Sequence, residues 1–147
     1  ITDPKMTRFM MSLEESVDLV LFAFKNAKPG DLFVQKAPAS DILTLAKALS
    51  ELFKSQNDIK IIGARHAEKM SETLCSKEEM SKADELGDFF RVPADMRDLN
   101  YTSYVQTKGP DLSDIEFNSD NADQLTVQEM KELLLTLDYV KQELSSK

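Results

Sequence analysis

The stretch of this 147-residue chain whose residue types could do chemistry is Arg65-His66-Ala67-Glu68-Lys69. A guanidinium forks onto phosphate oxygens with two parallel hydrogen bonds. A carboxylate three residues on can accept from two vicinal sugar hydroxyls. Arg65 with Glu68 could therefore grip the phosphate and ribose of a nucleotide. The same five residues also read as a solvated charged loop. Arg8 is a second cation of interest, because it interrupts an apolar run, Met6-Thr7-Arg8-Phe9-Met10-Met11. Its charge must meet solvent, a partner or a ligand, since burying it unpaired is costly. An edge-strand arginine facing water satisfies that condition as well as a ligand contact does.

Other reactive side chains carry less. Tyr104 and Lys108 stand at a Tyr-x-x-x-Lys spacing, in which a lysine can lower a tyrosine pKa from one helical face. Gly109-Pro110 follows at once and no apolar periodicity surrounds the pair, so it is a chance match. His66 has no identifiable partner for general acid–base work and reads as a hydrogen-bonding loop residue. Cys75, beside Leu74, reads as a small packing residue. With one cysteine and one histidine, neither an internal disulfide nor a thiolate or histidine metal cluster can be built. Metal and catalytic residues are accordingly expected to be none.

The elements that must position these groups follow from apolar spacing and capping signals. Lys5 to Met11 is a strand or extended segment. Ser12 and Glu15 form a capping box, predicting a helix whose inner face is Leu13, Ser16, Val17, Val20, Leu21 and Phe24. Pro29-Gly30-Asp31 ends it, and Leu32–Gln35 is a short strand. Ser40-Asp41 offer N-caps for a second helix carrying Ile42, Leu45, Ala46, Leu49, Leu52 and Phe53. Ile59–Ile62 is predicted as a strand closed by Gly63. The candidate grip thus lies at a strand end, where ligands of α/β proteins gather. Ser76 and Glu79 cap a short charged helix that Gly87 ends, and Asp88–Val92 is a further strand. Thr126 and Glu129 cap one long helix, Val127 to about Leu144, striped by Met130, Leu133, Leu134, Leu137, Val140 and Leu144.

Helices alternating with few, short strands predict an α/β or α+β-like small lobe. The expected organisation is a small lobe over 1–93, an extended segment that could wrap a partner over 94–125, and a C-terminal helix of the same domain over 126–147. A patternless stretch as long as 94–121 is usually functional or wrapped over a partner.

Composition limits the partners. Lys and Arg number 18 against 26 Asp and Glu, a net charge of −8, so the overall field repels nucleic acid and anionic membranes. It leaves room for one small anionic ligand held by local arginines. Hydrophobic residues make up 41%, enough for a core. No apolar run approaches the roughly 20 residues of a membrane span, and the beginning has no apolar leader core. The compartment reads as reducing cytosol. The four glycines, Gly30, Gly63, Gly87 and Gly109, are too far apart for a dinucleotide or P-loop fingerprint, so no cofactor-binding residue is expected in this chain.

Several segments, in order, resemble one family. ITDPKMTRFMMSLEESVDLVLFA, GDLFVQKAPA, IKIIGARHAEKMSETL and DLNYTSYV look like bacterial UDP-N-acetylglucosamine 4,6-dehydratases. EFNSDNADQLTVQEMKELLL resembles the tail of the inverting, 5-epimerising branch, which serves capsule and O-antigen synthesis. The resemblance covers nearly the whole chain and places it in the extended short-chain dehydrogenase/reductase superfamily. It implies the C-terminal, substrate-binding part, without the Rossmann half that holds NADP and the catalytic residues. It further implies that Arg8 and Arg65 approach a UDP diphosphate and that Glu68 reaches the uridine ribose. Expected partners are a UDP-sugar, the N-terminal Rossmann half and further copies of the chain. This chain alone is expected to be inactive. Relatives usually carry glycine where this chain has Ala67, which matters if the backbone there has positive φ. The segment Asn118–Asn121 matches the family tail without an assigned contact. The competing reading is a non-catalytic oligomerisation module in which 94–121 wraps a neighbour.

Overall fold

The structure, a computed structural model, describes residues 1–94 and 115–146. Tyr101, Tyr104, Lys108 and most of the expected wrapping segment lie outside the described residues. In chain order the elements are β1 (Thr7–Phe9), α1 (Leu13–Asn26), β2 (Leu32–Gln35), β3 (Ala39–Asp41), α2 (Ile42–Leu52), β4 (Thr73–Cys75), α3 (Lys77–Met80), β5 (Asp84–Leu86), β6 (Phe89–Val92), β7 (Phe117–Asn118), α4 (Val127–Leu134) and α5 (Asp138–Ser145). The architecture is mixed α/β, as the alternating pattern predicts. Among the described residues no helix is long and apolar enough to cross a membrane. The chain divides into two compact units: 1–12, 37–72 and 118–147 form one, 13–36 and 73–117 the other.

In the first unit β1 and β3 pair antiparallel, with Thr7 opposite Asp41, Arg8 opposite Ser40 and Phe9 opposite Ala39. Successive strand residues point to opposite faces, so Thr7 and Phe9 share one face and Arg8 takes the other. Asp41 ends β3 and caps α2, accepting from the Thr44 N–H at 2.7 Å and the Thr44 hydroxyl at 3.0 Å. Thr126 and Glu129 form the predicted capping box at the start of α4. A box of this kind contributes about 1 kcal/mol. Met130 and Ala48, both 0% exposed, put α4 and α2 in the core, and Lys131 reaches Glu51 at 2.8 Å.

The long C-terminal helix predicted from the stripe is two helices. Thr136 and Leu137 donate to carbonyls three residues back, Leu133 and Leu134, and the Thr136 hydroxyl also takes the Leu133 carbonyl at 2.7 Å. That tightened turn leaves Leu137 extended, at ψ 121°, and α5 starts afresh. Ile59–Ile62 likewise is no strand. Among the described residues its backbone bonds to the chain start, Ile62 N–H to Ile1 O at 2.9 Å and the Ile1 ammonium to Lys60 O at 2.7 Å. A β-rich sequence without a ladder partner stays extended coil.

The second unit is built on an antiparallel sheet in the order β2-β6-β5. Its two faces follow the strand alternation. Val34, Phe90 and Val92 join Cys75 and Met80 in the core, with Phe117 edge-on to Phe90 at 5.3 Å. On the other face Phe33 and Phe89 receive Phe22 of α1, stacked on Phe89 at 4.2 Å. The inner face predicted for α1 is therefore the wrong one. Leu13, Val17, Val20, Leu21 and Phe24 are all at least half exposed, and α1 buries no residue fully. Phe22, which lies on the opposite side of the helical wheel, makes the attachment.

The charged helix predicted up to Gly87 is only the turn α3, sealed by the Ser76–Glu79 box. Beyond it the chain turns into the hairpin β5–β6. Gly87, at φ 61°, heads the two-residue Gly87-Asp88 connection. Asp84-Glu85-Leu86 is an exposed edge strand, and edges carry charges that discourage further pairing. Gly30, at φ 86°, admits no side chain: a Cβ there would sit 2.7 Å from Ala94 Cβ. Arg91 pairs with the buried Asp31 carboxylate at 3.0 Å.

Burial pushes the Cys75 thiol up to about 11, with the Glu79 charge adding to it. The folded value lies above the unfolded one, so the fold holds this proton more tightly, and stability erodes as pH rises from about 9 towards 11. At pH 8 the native thiol should react with Ellman's reagent at least about a hundredfold more slowly than the urea-unfolded chain. Prompt stoichiometric labelling of the native protein would contradict this burial.

Candidate functional site

Arg65, Glu68 and Arg8 all belong to the first unit. The Arg65–Glu68 segment is a tight turn, with Glu68 N–H donating to Arg65 O at 3.2 Å. Its third residue, Ala67, has φ 73° while His66 keeps a negative φ, the signature of a type II turn. That position favours glycine, because a Cβ crowds the backbone in the left-handed region. The chain accepts this strain, and the turn is closed a second time. Glu68 Oε2 accepts from the Arg65 N–H at 2.8 Å, so the two residues bond each other reciprocally. Glu68 thus has a role that its sequence position does not announce: one oxygen fastens the turn that presents Arg65. Its other oxygen keeps its lone pairs. Arg65 and His66 are exposed, and among the described residues the Arg65 guanidinium has no ion-pair partner.

Arg8 is neither an arginine facing water nor a free cation. Its guanidinium donates to Thr7 O at 2.6 Å, Met70 O at 3.3 Å and Lys69 O at 2.9 Å, and its Nε stands 4.0 Å from Glu72. Three of the five N–H donors of a guanidinium are used in these bonds and the Nε–H is the one nearest Glu72, which leaves one Nη2 hydrogen. Arg8 therefore pins the residues that immediately follow Glu68 and still has hydrogen-bonding capacity to spend. The structure brings Arg65 and Glu68 into one turn and ties Arg8 to the chain leaving it.

Sequence reasoning missed what holds this assembly from beneath. Thr7 N–H donates to Met70 O at 2.9 Å and Ser119 N–H to Glu72 O at 2.8 Å, fixing the 69–72 backbone between β1 and the tail. The Glu72 N–H in turn donates to Ser119 Oγ at 2.9 Å. Thr7 Oγ1 lies 2.8 Å from Ser119 Oγ and 2.5 Å from Asp120 Oδ1. A carboxylate only accepts, so Thr7 donates to Asp120 and Ser119 donates to Thr7. The tail turn is rigid in its own right. Asn118 Oδ1 accepts from the Asp120 and Asn121 N–H groups at 3.0 Å each, and Gln124 ties down the Ser119 and Ala122 carbonyls. The run of Asn, Ser and Asp residues signals such a turn. Nothing in the sequence says what it faces. Among the described residues no cluster of histidine, cysteine and carboxylates could hold a metal ion.

Comparison with known proteins fits this picture. Residues 1–94 match the family described as Polysaccharide biosynthesis protein, and residues 95–141 match Polysaccharide biosynthesis protein C-terminal. The chain belongs to this polysaccharide biosynthesis family. It is similar to proteins named UDP-glucose 4-epimerase from Rickettsia felis and Rickettsia rickettsii, each 54% identical over 147 residues, covering 99% of this chain and 43% of the relative. It is also similar to the crystal structure of Pen from Bacillus thuringiensis, with a TM-score of 0.73 and 31% identity over 93% of this chain and 39% of that one. The chain thus spans about two fifths of the length of the relatives it matches. These findings support kinship with the C-terminal part of nucleotide-sugar epimerases and dehydratases.

The left-handed residue in the turn yields a test. Ala67→Gly should leave thermal stability unchanged or raise it, because it removes about 1 kcal/mol of strain. Ala67→Val should lower stability by about 1 kcal/mol, since a branched side chain fits that region worse. Equal melting temperatures for the valine and glycine variants would rule out the positive φ.

Proposed function

We propose that this chain is the UDP-sugar-binding portion of a UDP-N-acetylglucosamine 4,6-dehydratase/5-epimerase that supplies capsule or O-antigen synthesis. The observation that carries the proposal is the Arg65–Glu68 turn, which displays an exposed arginine and, three residues on, a carboxylate bonded to the turn backbone, in a chain of the polysaccharide biosynthesis family. Arg65 forks onto the diphosphate, Arg8 adds its remaining Nη2 donor, and the free oxygen of Glu68 accepts from the ribose. An upstream Rossmann half, outside this chain, supplies NADP and the catalytic groups. When bound there, the cofactor would supply reversible hydride exchange with the sugar, serving loss of water across C5–C6 and inversion at C5. The chain contributes no catalytic residue to these steps. Its work is to hold the uridine diphosphate so that the distant C4 is aligned. We place the enzyme in the cytoplasm, where UDP-sugars and a reduced Cys75 coexist.

The relatives' name, UDP-glucose 4-epimerase, supports a second reading. There the hydride returns to C4 on the opposite face and no water is lost. Both readings share the UDP handle, so they part at the product and not at the turn.

The test uses the longer enzyme, completed by joining this chain to the upstream part of the Rickettsia felis relative. Charge-assisted pairs contribute about 1.5–3 kcal/mol each. Arg65→Ala should therefore weaken UDP binding, measured by calorimetry, by roughly one to two orders of magnitude. Arg65→Lys should recover part of the loss, because an ammonium cannot fork. UDP bound as tightly by a folded Arg65→Ala as by the parent removes this residue from the site.

The isolated chain supplies a further check. The exposed stripe Leu13, Val17, Val20, Leu21 and Phe24 is apolar surface of the kind that self-associates. At high micromolar concentration the chain should sediment as a dimer or larger species, and it should leave UDP-N-acetylglucosamine unconverted. A strictly monomeric boundary counts against the association, and protein-dependent turnover against the division of labour.

A further inference from the structure

We propose that Ser119, with Thr7, is a positioning residue for the nucleotide grip, acting through the 69–72 segment and without touching the ligand. The inference rests on the function proposed for Arg65 and Glu68, and it gives the family's tail segment a task within it. Ser119 is fully buried, 112 residues away from Thr7 in sequence, and its hydroxyl is the junction of three pieces of chain. It accepts from the Glu72 N–H, donates to the Thr7 hydroxyl, and Thr7 passes the chain on to the Asp120 carboxylate. The Ser119 hydroxyl is directed at Thr7, with the Thr7 carbonyl at 3.3 Å as a second acceptor, and hydrogen bonds in such chains polarise one another. The Ser119 N–H closes a second bond to Glu72 O, so residue 72 is held from both sides of its own backbone.

The ligand-gripping turn ends only a few residues upstream. Lys69 and Met70, which follow Glu68, are fixed by Arg8 and by the Thr7 N–H. Thr7 is thus bonded through its backbone to the segment that carries the grip, and through its side chain to the tail. Loss of the Ser119 hydroxyl leaves residue 72 held through its carbonyl alone and relaxes the restraint on β1 from which Arg8 projects. The turn itself stays closed by its own reciprocal bonds, so the expected damage is misplacement and not collapse. A displacement of about 1 Å is enough to cost a fork-on-phosphate contact most of its strength.

The test compares four substitutions in the completed enzyme by calorimetric titration of UDP. Ser119→Ala removes the junction. Thr7→Val keeps shape and removes the hydroxyl. Thr7→Ser keeps the hydroxyl. Ala48→Gly, in the buried face of α2, is the control for general loss of stability, since glycine in a helix costs about 1 kcal/mol. Ser119→Ala and Thr7→Val should weaken UDP binding by about tenfold. Thr7→Ser and Ala48→Gly should bind as the parent does. If Ser119→Ala does not fold, the Thr7→Val and Thr7→Ser pair decides alone. Parent-like UDP binding by Thr7→Val overturns the proposal, as does an equal loss in Ala48→Gly. In either case a weakened Arg65→Ala leaves the nucleotide reading standing. A parent enzyme that binds no UDP removes both.

Discussion

The Ser119 hydroxyl is where the first unit closes. Its bond from the Glu72 N–H and its place beside Thr7, together with the Ser119 N–H bond to Glu72 O, join the opening strand, the middle of the chain and the tail at a buried serine. Hydrogen bonds in such a place have an asymmetric energetics. Made, each adds about 1 kcal/mol net; broken, each leaves a buried polar group that costs more than that. The arrangement is therefore specific more than it is strong. It satisfies the Glu72 N–H, the two hydroxyls and the Asp120 carboxylate together, next to Arg8 and the chain leaving Glu68.

The Arg65–Glu68 turn shows the same economy on a smaller scale. Ala67 sits in a backbone region that disfavours a Cβ, and the reciprocal bonds between Arg65 and Glu68 hold it there. Strain of this kind persists where the surroundings over-determine it. The consequence for chemistry is orientation. With one Glu68 oxygen bonded to the Arg65 N–H, the carboxylate is held against the turn backbone, and its other oxygen is left to accept from a ligand. A cation and an acceptor displayed on one turn match a phosphate next to a polyhydroxyl sugar better than they match either alone.

The second unit illustrates how an apolar stripe can mislead. Helix α1 carries two apolar faces, and the smaller one, through Phe22, packs on Phe33 and Phe89. The larger stripe is left exposed. Periodicity identifies a face that prefers to be covered. It does not say whether the cover is the helix's own sheet or something else. In the same unit Asp31 and Arg91 form a partly buried ion pair beside Gly30, where only a hydrogen fits against Ala94. There the sequence signal, Pro29-Gly30-Asp31, and its structural reason coincide.

Local physics made much of this protein legible in its sequence. The boxes Ser76–Glu79 and Thr126–Glu129, the cap at Asp41, strand Leu32–Gln35 and the mixed α/β class are all settled by bonds within four residues or by alternation along one strand. The types and spacing of Arg65 and Glu68 also marked the candidate grip. What local signals could not carry is pairing. Ile59–Ile62 has the composition of a strand and no ladder, whereas Asp84–Leu86 has the composition of a solvated helix and pairs with β6, because a strand exists only when a partner supplies its hydrogen bonds. The split of the last helix at Thr136, the inward face of α1 and the three carbonyls on Arg8 are likewise decisions of the surroundings. The Thr7–Ser119 junction is the extreme case. Two hydroxyls more than a hundred residues apart carry no joint signal in a single sequence, and only the folded chain brings them to 2.8 Å.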